Sequence, residues 1–416
     1  MPENTLLVSL SQNGKWHWEP KLSMKDIYLD WAATTPLDSD IMRSALEFSL
    51  RAYGNPSSKH WLGKEARQAL EESRARVMHS IGITKGNFVF TSSGTEADHI
   101  PIFAILERLR RASSAGKPIH AIISSIEHSA IEEQIRVLER LGLQVSRIDP
   151  DSKGHLEAEH VASKIRNETV IICIMNVNNE TGAIQDIKAI SESIREVVQL
   201  KRMKKPWLHV DAVQALGKLS IRDLENYADS FAVSAHKIRG PKGTGGLWFA
   251  RPPEIFIRGG GQESGLKPGT ENLFGAFAFS LAAEKAALSM PANQEKALIL
   301  EERIIDGISS IPNALIIPER IPKDNGFVPS IISMAFPGLG GETMVRALSD
   351  CHIAVSTGSA CMSNIHHAER RVLKAMQVPE DIAFSSIRVS TGPLTTLQDI
   401  DSFLEQVEVL YRKLKT

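Results

Sequence analysis

Lys237 closes the short polar run Ser234-Ala235-His236-Lys237, which follows the apolar stretch Phe231-Ala232-Val233 and precedes Gly240-Pro241-Lys242-Gly243. A lysine at the mouth of a buried strand is desolvated, and desolvation lowers the basicity of its amine until it can serve as a Schiff-base nucleophile. A lysine that only carries its ammonium from a strand end out to water is the commoner case. Ser234 and His236, both able to donate to a phosphate, favour the chemical reading. Asp211 directly follows Trp207-Leu208-His209-Val210, with Gln214 three residues on. A carboxylate there can hold a protonated heterocyclic nitrogen or simply cap the next helix.

Three further clusters carry polar groups. Thr91-Ser92-Ser93-Gly94-Thr95-Glu96 opens a helical stretch, with Ser93 and Glu96 spaced as a capping box. Gly94 allows close backbone approach, and the free amides of a helix start suit a phosphate, although alone the run reads as a plain cap. Asn178-Asn179-Glu180-Thr181-Gly182 reads as a turn or as a source of hydrogen bonds to a ligand. Ser356-Thr357-Gly358-Ser359-Ala360-Cys361-Met362-Ser363 sets a cysteine in a loop of small residues, where a nucleophilic thiolate would need to be. Cys173 lies in an apolar run and reads as inert core, and Cys351 beside His352 as structural.

These clusters need a frame that brings them together. Phe88–Thr91, Ala121–Ser124, Val170–Met175, Trp207–Val210 and Phe231–Ser234 are short apolar runs separated by amphipathic stretches such as Glu65–Ile81 and Ile187–Leu200. Strands lose polar alternation only when both faces are buried, so the pattern predicts an α/β core with a mainly parallel sheet between helices. In such sheets the site lies beyond the carboxyl ends of the strands, where all five clusters fall. After about residue 285 longer helices predominate, with strands near Ile331–Ala335 and Ile387–Val389, which predicts a second, smaller α+β domain. The first 26 residues, with Asn13-Gly14 and scattered tryptophans, receive no role.

Composition excludes several classes. In 416 residues, 48 Lys+Arg against 49 Asp+Glu leave no broad attraction to nucleic acid or anionic membranes. No apolar run approaches the roughly 20 residues that span a bilayer. Three scattered cysteines make neither a disulfide framework nor a four-cysteine zinc or iron–sulfur site, His366-His367 lacks zinc-site spacing, and no metal is expected. The N-terminus, with Glu3, Lys15 and Glu19, resembles neither a secretory signal nor a transit peptide, so a cytoplasmic location is expected.

Taken together, the motifs resemble those of the cysteine desulfurases, in the class V branch of the aspartate-aminotransferase superfamily. The resemblance runs from Tyr28-Leu29-Asp30-Trp31-Ala32-Ala33-Thr34-Thr35-Pro36 to Arg388-Val389-Ser390. It includes Gly54-Asn55-Pro56-Ser57-Ser58, Glu127-His128, His209-Val210-Asp211, Gly259-Gly260-Gly261-Gln262-Glu263 and Pro268-Gly269-Thr270-Glu271-Asn272. It implies a type I fold of pyridoxal-phosphate (PLP) enzymes, with a large PLP-binding domain over 38–289 and a small domain from 1–37 and 290–416. Lys237 would hold PLP as a Schiff base and move the substrate Cα proton, Asp211 would keep the pyridine nitrogen protonated, and His128 would stack on the ring. Gln214 and Asn179 would bond around the ring hydroxyl, while Gly94, Thr95, Ser234 and His236 would surround the phosphate. Thr270 would reach the phosphate of a neighbouring subunit, implying a homodimer. Arg388 would clamp the carboxylate of L-cysteine. Cys361 would take the sulfur as a persulfide, for delivery to an acceptor protein or thiol in iron–sulfur cluster assembly or thio-modification.

Lys267 stands where arginine is usual in the family, Asp98-His99 where two asparagines are frequent, and Pro393 where a basic residue often occurs. A selenocysteine lyase or another class V lyase or aminotransferase shares the same frame. Cys361 favours sulfur transfer over transamination, which would tolerate its loss. A nicotinamide dehydrogenase is suggested only by Gly240–Gly246 and Gly259–Gly261, which lack the dinucleotide fingerprint's spacing and its acidic partner. A silent scaffold would not need Lys237, Asp211, His128, Arg388 and Cys361 together.

Overall fold

A computed structural model describes residues 8–10, 16–18, 26–114, 116–358 and 370–415. Seven strands form the central sheet, in the order Asn87–Thr91, Gly245–Phe249, Ser230–Ser234, Trp207–Asp211, Thr169–Met175, Ile119–Ser124 and Leu143–Ile148. The pairings are parallel except those of Gly245–Phe249, which is antiparallel to both neighbours. The five expected runs are all strands of this sheet, and the expected helices appear as Trp61–Ser80 and Ile187–Leu200.

Two strands escape the apolar-run criterion for physical reasons. Leu143–Ile148 is an edge strand whose central residues are partly open to water, so Gln144 and Arg147 interrupt its apolar character. Gly245–Phe249 begins with two glycines in a stretch that reads as a loop. A Cβ on Gly245 would stand 2.5 Å from the Ser93 carbonyl carbon, and one on Gly246 would stand 1.9 Å from Phe88 Cζ. These glycines admit a helix start and a ring edge against the strand.

A second sheet, antiparallel, joins Leu315–Ile317, Ile331–Ala335 and Ser386–Ser390. The 37-residue helix Leu273–Ser309 links the two cores. Ala276, Phe279 and Ala282 pack into the large core, while Leu300, Ile304 and Ile308 pack with Ile332, Met334, Val389 and Phe403. Among the described helices this one is long and apolar enough to cross a bilayer; many of its apolar residues are committed to the two cores, while Leu288 and Ile299 are exposed. The expected division at residues 289 and 290 falls inside it.

The N-terminal segment ties the two sheets together. Ile27–Tyr28 pairs in parallel with Ile353–Ala354, and Asp30 bridges to Ser390. Residues 34–38 then hydrogen-bond to the 236–239 turn: Thr35 N and Oγ1 donate to the His236 carbonyl (3.1 and 2.8 Å), and Asp38 N donates to the Arg239 carbonyl (3.0 Å). The segment is thereby a strap laid over Lys237. Ahead of it, Val8–Leu10 pairs antiparallel with Trp16–Trp18.

Candidate active site

Ser230–Ser234 is buried throughout, and the chain leaves it through the tight turn Ala235–Lys237. That turn places Lys237 at the carboxyl edge of the sheet under the strap, where its Nζ donates to the carbonyls of Ala32 (2.6 Å) and Ala33 (2.8 Å). Gln214 Nε2 donates to the same Ala32 carbonyl (2.8 Å). The strap thus gathers two of the expected residues on one backbone oxygen.

Asp211 ends the neighbouring strand and is 5% exposed. Its Oδ1 accepts from Val213 N (2.9 Å) and so closes a turn; no described helix begins there for it to cap, and the capping reading is not realised. Burial and the nearby Asp98 push its carboxyl up to about 7, against smaller opposing pulls from Val213 N, His209 and Lys237. Such a group gains most from a cationic partner, as a pyridinium nitrogen would be. Two residues back on the same face, His209 Nε2 lies 3.1 Å from Asp98 Oδ1 and its Nδ1 2.8 Å from Ser230 Oγ. Burial drives His209 down to about 4. Asp98, one of the departures from the family pattern, therefore sits directly beneath the site.

The helix Gly94–Phe103 starts beside Ser234. A Cβ on Gly94 would meet Val213 Cγ2 at 2.7 Å and Ser234 Cβ at 3.5 Å, so the lack of a side chain lets the helix start approach the strand ends. Ser93 caps it through Oγ to Glu96 N (3.1 Å). The expected capping box is only half realised: Glu96 Oε2 turns to Ser92 N and Ser92 Oγ (2.5 and 2.8 Å) instead of Ser93 N. Thr95 is exposed at this end. His236 Nδ1 lies 3.1 Å from Thr34 Oγ1, and burial with the cations Lys237, Lys242 and Lys218 lowers it to about 4, leaving a neutral ring.

His128 caps the helix Ser129–Arg140, its Nδ1 accepting from Ala130 N (3.2 Å). Burial, then Lys237 and Arg371, lower it to about 4, so the ring is neutral near pH 7. In the Asn178–Gly182 turn the two asparagines divide the work. Asn178, fully buried, organises the turn by accepting from Glu180 N (2.9 Å) and Thr181 N (3.0 Å). Asn179 offers its carbonyl to Arg388 Nη1 (2.8 Å). Arg388, 3% exposed, also donates from Nη2 to Asp30 Oδ1 (2.7 Å), while its buried Nε has no partner.

Thr270 is exposed, and Cys361 lies outside the described residues, as do His366 and His367. Three groups went unnoticed in the sequence. Lys218 reaches Gln214 from the turn after Asp211. Arg370 donates to the Thr357 and Ser386 carbonyls, and Arg371 donates to the Ser125 and Glu127 carbonyls beside His128. The Arg370-Arg371 pair following the small-residue loop was the available signal.

The donor set suits a phosphorylated pyridine aldehyde. Ser234 Oγ is buried without a partner next to a helix start, which leaves a hydroxyl for a phosphate. Asp211 has the basicity to hold a ring nitrogen, and Lys237 an amine for an aldehyde.

Comparison with known proteins agrees. Residues 27–403 match the family model Aminotransferase class-V. "Cysteine desulfurase IscS" of Dictyoglomus turgidum is 34% identical over 394 residues, covering 94% of this chain and 96% of that relative. Among solved structures, a "NifS-like protein" superposes with a TM-score of 0.81 at 31% identity, covering 93% of this chain and 100% of its own. "SspA in complex with cysteine" superposes with a TM-score of 0.72 at 27% identity, covering 89% of this chain and 100% of its own. The architecture is the type I fold of PLP enzymes. Agreement that runs the length of both partners is not that of a module borrowed by an unrelated enzyme, and the chain belongs to the class-V aminotransferase family, among its cysteine desulfurases.

Proposed function

We propose that this chain takes L-cysteine at the strap-covered site, releases L-alanine and passes the sulfur to Cys361. The observation that carries the reading is the placement of Lys237 Nζ on the Ala32 and Ala33 carbonyls at the carboxyl edge of the sheet, beside buried Asp211. The solved relative named with cysteine bound supports the choice of substrate.

Enzymes of this family use PLP, and here Lys237 would anchor it covalently, Asp211 would face its ring nitrogen, and Ser234 with the helix start at Gly94 and Thr95 would take its phosphate. His128 and Gln214 would flank the ring. When bound, PLP supplies an electron sink for the pair left at the substrate Cα.

The chain's own residues do the rest. Arg388 would hold the substrate carboxylate, using its unpartnered Nε and reorganising its bond to Asp30. Lys237 Nζ is the base placed to move the Cα proton. The Cys361 thiolate would form a bond to the substrate sulfur as the Cβ–S bond breaks. The Cβ–S electron pair goes to Cβ, protonation there and return of a proton to Cα complete alanine, and a persulfide remains on Cys361. That sulfur would pass to an acceptor protein or thiol.

We also infer a homodimer. Thr270 is exposed on the single chain, and Leu46, Leu50, Tyr53 and Trp61, on or beside the helices Ser39–Arg51 and Trp61–Ser80, are exposed large apolar groups.

The test is incubation of PLP-loaded protein with L-cysteine and a reductant, without any keto acid. Alanine and sulfide are expected in equal amounts. Alanine appearing only when a keto acid is supplied would indicate transamination and sink the reading.

A further inference from the structure

We propose that Lys218 is a positioning residue for Lys237: its ammonium fixes the amide of Gln214, which braces the Ala32 carbonyl that holds Lys237. This rests on Lys237 being the cofactor anchor.

Lys218 follows Gly217, whose φ is +75° and whose added Cβ would stand 2.7 Å from Ile238 Cγ2. Only glycine lets this turn pack against the residue after Lys237. From there Lys218 Nζ donates to Gln214 Oε1 (3.0 Å) and to the Gln214 carbonyl (3.1 Å). A lysine only donates and a carbonyl only accepts, so the amide has one orientation: oxygen toward Lys218, nitrogen toward Ala32. The resulting chain runs from Lys218 through Gln214 to Ala32 O and Lys237 Nζ. Gln294 Nε2 pins the Lys218 carbonyl (2.6 Å).

The charges around it are mostly cationic. Lys218 and Lys237 line one cavity of about 200 Å³ together with Asp38, Arg239, Lys285 and Lys296. Asp38, the one carboxylate there, is taken by Lys285 (2.7 Å) and Arg239 (3.1 Å). The oxygens that Lys218 Nζ meets are thus the neutral ones of Gln214, and burial, then Lys237 and Arg388, push its ammonium down to about 7. Repulsion between two cations acts on both, so Lys218 disfavours a proton on the Lys237 nitrogen in turn.

The test is a pH titration of the visible absorption of PLP-loaded protein, comparing wild type with Lys218→Met, which keeps the stem, and Lys218→Arg, which keeps charge and donors. The midpoint should rise by about one pH unit in Lys218→Met and return most of the way in Lys218→Arg. An unmoved midpoint in Lys218→Met, or an equal shift in Lys218→Arg, would overturn the proposal. If wild type shows no visible band that depends on Lys237, the anchor reading itself fails and this inference falls with it; a Lys237-dependent band that ignores Lys218 removes only the inference.

Discussion

Lys237→Ala should lose the cofactor's covalent visible absorption and reduce alanine formation from L-cysteine by about 10³-fold or more, since under the proposed function one substitution removes both the anchor and the base. The fold should survive. Lys237 ends a three-residue turn, and the strap retains Thr35 on the His236 carbonyl and Gln214 on Ala32. Absorption spectra with added PLP, near-UV circular dichroism and alanine assays on one preparation separate these effects. A variant that keeps both the band and the turnover would place the chemistry on another amine.

Arg388→Lys should lower kcat/KM for L-cysteine by about 10²-fold, chiefly through KM, because an ammonium keeps the charge but not the fork that grips a carboxylate from two sides. Arg388→Ala should cost more and also destabilise. It would leave Asp30, now held at 2.7 Å and partly buried, without this partner, and losing a hydrogen bond between charged groups costs about 1.5–3 kcal/mol. Steady-state kinetics with thermal unfolding of both variants checks the pair. A normal KM in Arg388→Lys would mean that the substrate carboxylate binds elsewhere.

How far the site could be read from the chain follows from how local each signal is. Lys237 and Asp211 are legible because a charged residue directly after an apolar strand has one place to go in an α/β sheet, the carboxyl edge. The sheet was legible wherever both faces are buried, as in Ile119–Ser124, and illegible where glycines replace apolar residues, as in Gly245–Phe249. The strap carries no periodicity at all. Its role comes from hydrogen bonds between residues 32–38 and residues 214–239, a separation that no spacing encodes. The same holds for Asp30 on Arg388, 358 positions apart. Lys218 carries no signal in the sequence, because its meaning depends on the orientation of a single amide.

Asp98 shows a departure from a family pattern acquiring a physical sense. Placed on the helix after the Gly94 cradle, it faces His209 and raises the carboxyl of Asp211, so the substitution acts on the residue expected to hold the ring nitrogen. Its partner in that pair of positions, His99, donates from Nε2 to the Ala130 carbonyl (3.0 Å) beside the His128 cap and has no comparable reach.

The central claim is that sulfur leaves L-cysteine onto Cys361. It is tested most directly by mixing PLP-loaded protein with one equivalent of L-cysteine without reductant, quenching, and measuring the mass of the peptide that contains Cys361. The account predicts one added sulfur atom on that peptide, released by a thiol reductant and missing when Lys237 is alanine. Alanine formed while the Cys361 peptide keeps its original mass and the sulfur appears as free sulfide would contradict it.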